Sequence, residues 1–187
     1  MKKLLFILTI FLLATACCKK ETNNEESLPD ATQTGRGIFA CYVDGKPFID
    51  NKNQFNCGLE YVAGTYGFHI AATDTDYYGD INHPTHMSMG MSDSSVTIVE
   101  GGTYTLCSVY PHTQDLQLGA GCNFYESRHN SLGTHTECPD YTGELHITKL
   151  DYTNHIISGT FWFDIKNPYT NKKVKIRDGR FDVKFYE

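Results

Sequence analysis

The sequence predicts an all-β chain folded as an antiparallel β-sandwich, with a closed β-barrel as the alternative that the same local pattern allows. Three observations lead there. Nearly every apolar segment alternates with a period of two, and no stretch carries a helical stripe. Turn residues recur at short intervals between these segments. The last run, residues 179–185, sets Phe181, Val183 and Phe185 on one face and Arg180, Asp182 and Lys184 on the other.

Ahead of that fold stands a different kind of segment. Lys2 and Lys3 precede thirteen uncharged residues, 4–16, LLFILTIFLLATA. This length suits the apolar core of a signal peptide and falls short of the roughly 20 residues of a membrane-spanning helix. Small residues, Ala14-Thr15-Ala16, lead directly into Cys17. That arrangement resembles the lipobox of bacterial lipoproteins, in which the cysteine is acylated and becomes the new N-terminus, although Leu13 sits one place further away than in the commonest pattern. The expected organisation is therefore a signal peptide over 1–16, a lipidated Cys17 with a flexible tether over 17–37, and a single β-rich domain over 38–187. The expected location is the cell envelope, at the outer membrane, on either its periplasmic or its surface side. Several acyl chains on one cysteine hold a protein stably, where a single chain holds it only reversibly.

The tether is polar and lacks aromatics, so it has nothing with which to build a core. Removing Lys2 and Lys3 leaves 14 basic against 22 acidic residues, a net charge of −8. Such a chain is repelled by phosphate backbones, which argues against nucleic acid as a partner. The 150 residues of 38–187 suffice for one domain with its own core.

Taken in order, residues 38–43 form a β-rich run, and Asp44-Gly45-Lys46-Pro47 supplies a turn before Phe48 and Ile49. Residues 66–72 and 85–92 are further runs, and 96–106 is a run broken at Glu100-Gly101-Gly102. Residues 143–150 and 156–165 read as an antiparallel pair turning at 151–154. The segment 110–141 is rich in turn residues and is expected to be an irregular loop pinned by cysteines.

The Cys17 anchor, the opening GIFACYVDGKPF, the pair TGELHITKLD and ISGTFWFD, and the closing IRDGRFDVKF resemble a family of small Gram-negative lipoproteins known only as a domain of unknown function. The resemblance spans nearly all of the mature chain and implies an all-β lipoprotein. Its motifs are turns, core positions and a terminal strand, so it brings no catalytic residue.

An exported chain meets an oxidising compartment, so the remaining cysteines are expected to pair. Cys122–Cys138 is the first pairing considered, because it closes a 17-residue loop where strand signal is weakest. Cys41–Cys57 is the second, which leaves Cys107 as a buried thiol.

Several constellations suggest chemistry. His83, His86, Met87, Met89 and Met91 combine imidazole and thioether donors suited to copper. Against this, the three methionines share one strand face, as core fillers do, and His86 falls on the other. Asp74 and Asp76 stand at alternate positions ahead of Gly79 and Asp80, as in part of a calcium loop, but Tyr78 and Thr85 stand where ligands belong. His135 and Glu137 match a zinc-deaminase fragment whose cysteine partner motif is missing. Cys122 after Gly119-Ala120-Gly121 could serve as a nucleophile, but a disulfide is the better use of it here. No hydrolase elbow or phosphate loop is present. Trp162 alternates with Phe161 and Phe163 and so is expected on the outside, where with Tyr77 or Tyr78 it could stack on sugar rings or contact a protein. The expected function is thus a non-enzymatic, membrane-anchored binding or structural role without a cofactor. Copper and glycan binding are its alternatives, and a protein or glycan at the envelope is the expected kind of partner.

Overall fold

The computed structural model describes residues 27–50, 56–62, 65–77, 87–93, 96–108, 118–127 and 130–186. They form two antiparallel sheets packed face to face, a β-sandwich rather than a closed barrel. The six-stranded sheet has the order β2-β1-β11-β10-β9-β6, with β1 Ile38–Val43, β2 Lys46–Ile49, β6 Thr103–Leu106, β9 Gly143–Asp151, β10 Ile156–Lys166 and β11 Lys173–Lys184. The five-stranded sheet has the order β3-β4-β5-β7-β8, with β3 Asn56–Val62, β4 Thr65–Asp74, β5 Met87–Asp93, β7 Gly119–Ser127 and β8 Asn130–His135.

Alternation explains the first sheet directly. Phe161, Phe163 and Ile165 of β10 are buried, whereas Thr160, Trp162 and Lys166 are exposed. The hairpin joining β1 to β2 turns on Asp44 and Gly45, both with positive φ, which an Asp-Gly pair adopts at little cost. In β11 one extra residue interrupts the register, because Phe161 opposes Gly179 while Phe163 opposes Ile176. Asp178, at φ 52°, sits in this bulge. The added residue shifts the alternation by one, so that Val174 and Ile176 before it and Phe181 and Val183 after it all face the core. Gly179 is required beside it, since a Cβ there would lie 2.5 Å from ring carbons of Phe161.

The second sheet is where the sequence reading needs correction. The segment expected to be an irregular loop contains the β7–β8 hairpin. β3 was not expected as a strand. The run expected over 96–106 shortens to β6; before it, the Tyr104 hydroxyl donates to Thr97 O at 3.0 Å and accepts from Val99 N at 2.8 Å, folding the chain back on itself.

The segment read as a tether running to Gly37 is docked over its last part. Leu28 is buried, and Gly37 N donates to Asp182 O at 2.8 Å. Between them, residues 32–36 cross the outer face of the six-stranded sheet over Asp182. That residue lies on the outward side of β11, as its alternation predicts, yet is only 1% exposed.

Candidate functional site

The sequence-derived candidates are distributed over different parts of the sandwich rather than gathered at one place. His83 and His86, with Tyr78, Gly79 and Asp80, lie outside the described residues. Met91 is buried in the core. In the β-ladder Met89 stands between Ala72 of β4 and Cys122 of β7. Among the described residues no group of three or more His, Cys, Asp or Glu could hold a metal ion.

The disulfide expectations are corrected. Cys138 joins Cys107, with their Cα atoms 5.5 Å apart, and not Cys122. The backbone explains the choice. Beyond β6 the chain runs beside β7 and the end of β8, with Cys107 N donating to Leu118 O at 2.8 Å and Cys138 N donating to Ser108 O at 3.2 Å. Cys122, as a strand residue of β7, instead faces the core. Cys41 and Cys57, the second expected pair, are buried thiols on facing sheets. The bridge spans 31 residues of sequence. Cys138→Ser is expected to lower stability by about 2 kcal/mol, at the low end of the usual disulfide range. Thermal melts checked by non-reducing peptide mapping test this; a linked peptide of Cys122 with Cys138 would refute the pairing.

The three thiols are unsuited to nucleophilic chemistry. Burial pushes Cys57 up to about 12 and raises Cys122 as well. Cys41 is raised by burial and further by neighbouring Cys122, with Arg180 pulling weakly the other way. A thiol so held stays protonated and inert. Thr136, between His135 and Glu137, is buried with its Oγ1 accepting from Ala120 N at 3.2 Å. Its two neighbours are exposed, and Glu137 is paired through its backbone with Tyr141.

Asp74 accepts from the amides of Asp76 at 2.9 Å and Ile49 at 3.3 Å, so its carboxylate organises a turn. Burial raises its pKa. Tyr77, expected as an exposed platform, is corrected to a core position: it is buried, its ring lies 6.0 Å from that of Phe48, and Lys46 sits over it at 4.1 Å. The Lys46 ammonium also donates to the Tyr77 carbonyl. This contact between β2 of one sheet and the turn after β4 of the other could not be seen locally.

Trp162 is where alternation predicts it, 39% exposed on the outer face of the six-stranded sheet. The β11 bulge brings Arg177 beside it, with the guanidinium 5.3 Å from the ring centre. That guanidinium is held in place by donating to Asp164 Oδ1 at 2.6 Å, Ile176 O at 2.7 Å and Phe163 O at 3.1 Å. Lys173 donates to Asp164 Oδ2 at 3.3 Å and to Asp140 O at 3.1 Å, and lies 5.4 Å from the Tyr141 ring. Glu144 faces Trp162 across the β9–β10 pair. An aromatic ring is thereby presented among fixed cations and carboxylates.

The Asp182 cluster was missed by sequence reasoning. Its carboxylate accepts from the Thr32 hydroxyl at 2.5 Å and the Ser158 hydroxyl at 2.7 Å. It also accepts from the amides of Gly35 at 2.7 Å, Thr34 at 3.0 Å and Arg36 at 3.2 Å. No local signal marks it, because Asp182 reads as one more outward charge on an alternating strand.

Among the described residues no helix is long and apolar enough to cross a membrane. The chain matches no protein-family model, no curated protein and no solved structure.

Proposed function

We propose that the chain is an exported lipoprotein of the type its sequence resembles, anchored at the envelope by acylated Cys17, whose sandwich serves a non-catalytic binding or structural role. The observation that carries this reading is the contrast between its two kinds of polar chemistry. The thiols and Asp74 serve packing and turns, whereas the exposed chemistry collects around Trp162 on an open sheet face. A binding module has this distribution: its reactive groups are sequestered and its recognition surface is laid over a rigid sheet.

Cys17→Ser tests the anchoring. The variant is expected to move from the membrane to the soluble fraction and to lose incorporation of labelled palmitate. Unchanged membrane association would remove the basis of the reading. Glycan stacking on Trp162 is the second reading, favoured by the same exposed ring with Glu144 beside it as a hydroxyl acceptor. With Tyr77 buried, Trp162 is the ring on which that reading depends.

A further inference from the structure

We infer that the outer face of the six-stranded sheet, around Trp162, is the surface that the domain lays against the bilayer, where it takes the phosphates of anionic lipids. Basic charge is partitioned between the sheets, while acidic residues stand on both, with Glu144, Asp151, Asp164, Asp178 and Asp182 on the strands of the six-stranded one. The five strands of β3, β4, β5, β7 and β8 contain no Lys or Arg, and carry the acidic residues Glu60, Asp74, Asp93 and Glu126. The outer face of the other sheet carries seven basic residues, five of them, Lys173, Lys175, Arg177, Arg180 and Lys184, on β11 alone. A chain of net charge −6 has thus concentrated its strand-borne cations on one side. Two of the acidic groups on that side are already occupied: Asp164 by Arg177 and Lys173, and Asp182 beneath the docked segment.

The path of the chain points the same way. From Gly37 the segment runs back over Asp182 to Pro29, whose carbonyl accepts from Arg180 at 3.1 Å. Arg180 also donates to Asp178 O, at the bulge that carries Arg177. The first described residues therefore lie on this basic face, beside Arg180. Cys17 stands eleven residues before Leu28. Even fully extended, eleven residues reach no more than about 40 Å, short of the path around a domain ~30 Å across. An anchor on so short a lead draws this face, rather than the acidic one, toward the bilayer. Basic groups near an anionic surface contribute about 1 kcal/mol each, and a Trp beside them suits the polar boundary of a membrane. The cations favour phosphate over a neutral sugar as the group received here.

This inference rests on the lipoprotein reading only for the position of the membrane. Trp162 is the one tryptophan of the chain, so its fluorescence reports this face alone. The full lipidated chain would be reconstituted into phosphatidylcholine vesicles with and without phosphatidylglycerol, some carrying brominated lipids. The expected result is a blue shift and bromine quenching of Trp162 that require phosphatidylglycerol. Both should be lost at high salt or in a Lys166→Glu, Lys175→Glu variant that still floats with the vesicles. A chain that floats while its Trp162 emission stays as in detergent overturns the inference, as does emission that responds only to added polysaccharide. A chain that does not float at all overturns the anchoring reading instead. In that chain a Trp162 response to anionic vesicles would still uphold the basic face, and its absence would overturn it.

Discussion

Phe161→Ala is expected to cost about 4 kcal/mol of folding stability, read as a lower urea midpoint at unchanged slope. The ring is buried between the sheets, with centroids 5.1 Å from Phe39, 6.1 Å from Phe163 and 6.4 Å from Phe181. It also covers the space that Gly179 leaves beside the β11 bulge. Truncation opens a cavity among three aromatic neighbours and uncovers Gly179, which has no side chain of its own to close it. Against a total of roughly 5–15 kcal/mol for a domain, this brings the fold close to its limit. The neighbouring position supplies the control. Trp162→Ala removes a larger ring, but one on the solvent side, and is expected to cost no more than about 1 kcal/mol from its contact with Arg177. Equal losses at the two positions would mean that β10 does not alternate as described.

That pair of positions also indicates how far the sequence could be read. Phe161, Trp162 and Phe163 differ strongly in environment because this stretch of β10 is covered on one face only, and a period of two then betrays the fold and the outward Trp. The same logic reaches β1, β9 and the end of β11. In the five-stranded sheet it reaches β4 and β5 but fails for β3, β7 and β8, because small residues fill several inward positions there. Cys57, Ala72, Ala120 and Cys122 are buried without looking like core, so β3 and the β7–β8 hairpin owe their existence to pairing more than to local hydrophobicity. Tyr77 was misread for the opposite reason, since a ring in a polar stretch looks exposed until Lys46 from another strand is laid over it. Cysteine pairing depends on which backbones the fold brings side by side, and a sequence separation of 31 conceals that Cys107 and Cys138 are neighbours. Docking of the N-terminal segment was hidden most deeply. Its attachment owes little to an apolar pattern and relies chiefly on one carboxylate, contributed by a residue about 150 positions later.

Asp182→Ala is therefore expected to release that segment while leaving the sandwich folded. The substitution removes the acceptor for three backbone amides and two hydroxyls, and hydrogen bonds to a charged group contribute about 1.5–3 kcal/mol each. The total loss is limited, because a freed segment regains its hydrogen bonds from water, so about 3 kcal/mol overall is expected. Hydrogen exchange resolves the effect more sharply than melting does. The amides of Thr34, Gly35 and Arg36 should exchange about a hundredfold faster, a change of about 2.7 kcal/mol in local opening, while those of β10 change far less. The pH dependence has a definite sign. Burial alone would raise the Asp182 carboxyl, but the Thr32 and Ser158 hydroxyls and the Thr34 and Gly35 amides outweigh it and hold the group below its ordinary value. Its contribution is thus complete above the unfolded carboxylate value near ~4 and is lost as pH falls through the lower folded value. Asp74 acts with the opposite sign, since burial raises it and its contribution is lost as pH rises through that raised value. A global melting curve would blend the two. In the native chain, protection at 34–36 should hold at neutral pH and fall in acid; in Asp182→Asn, which cannot ionise, it should be weaker throughout and free of that acid step. Protection that proved indifferent to both acid and substitution would mean that something other than Asp182 fastens the segment leading to the anchor.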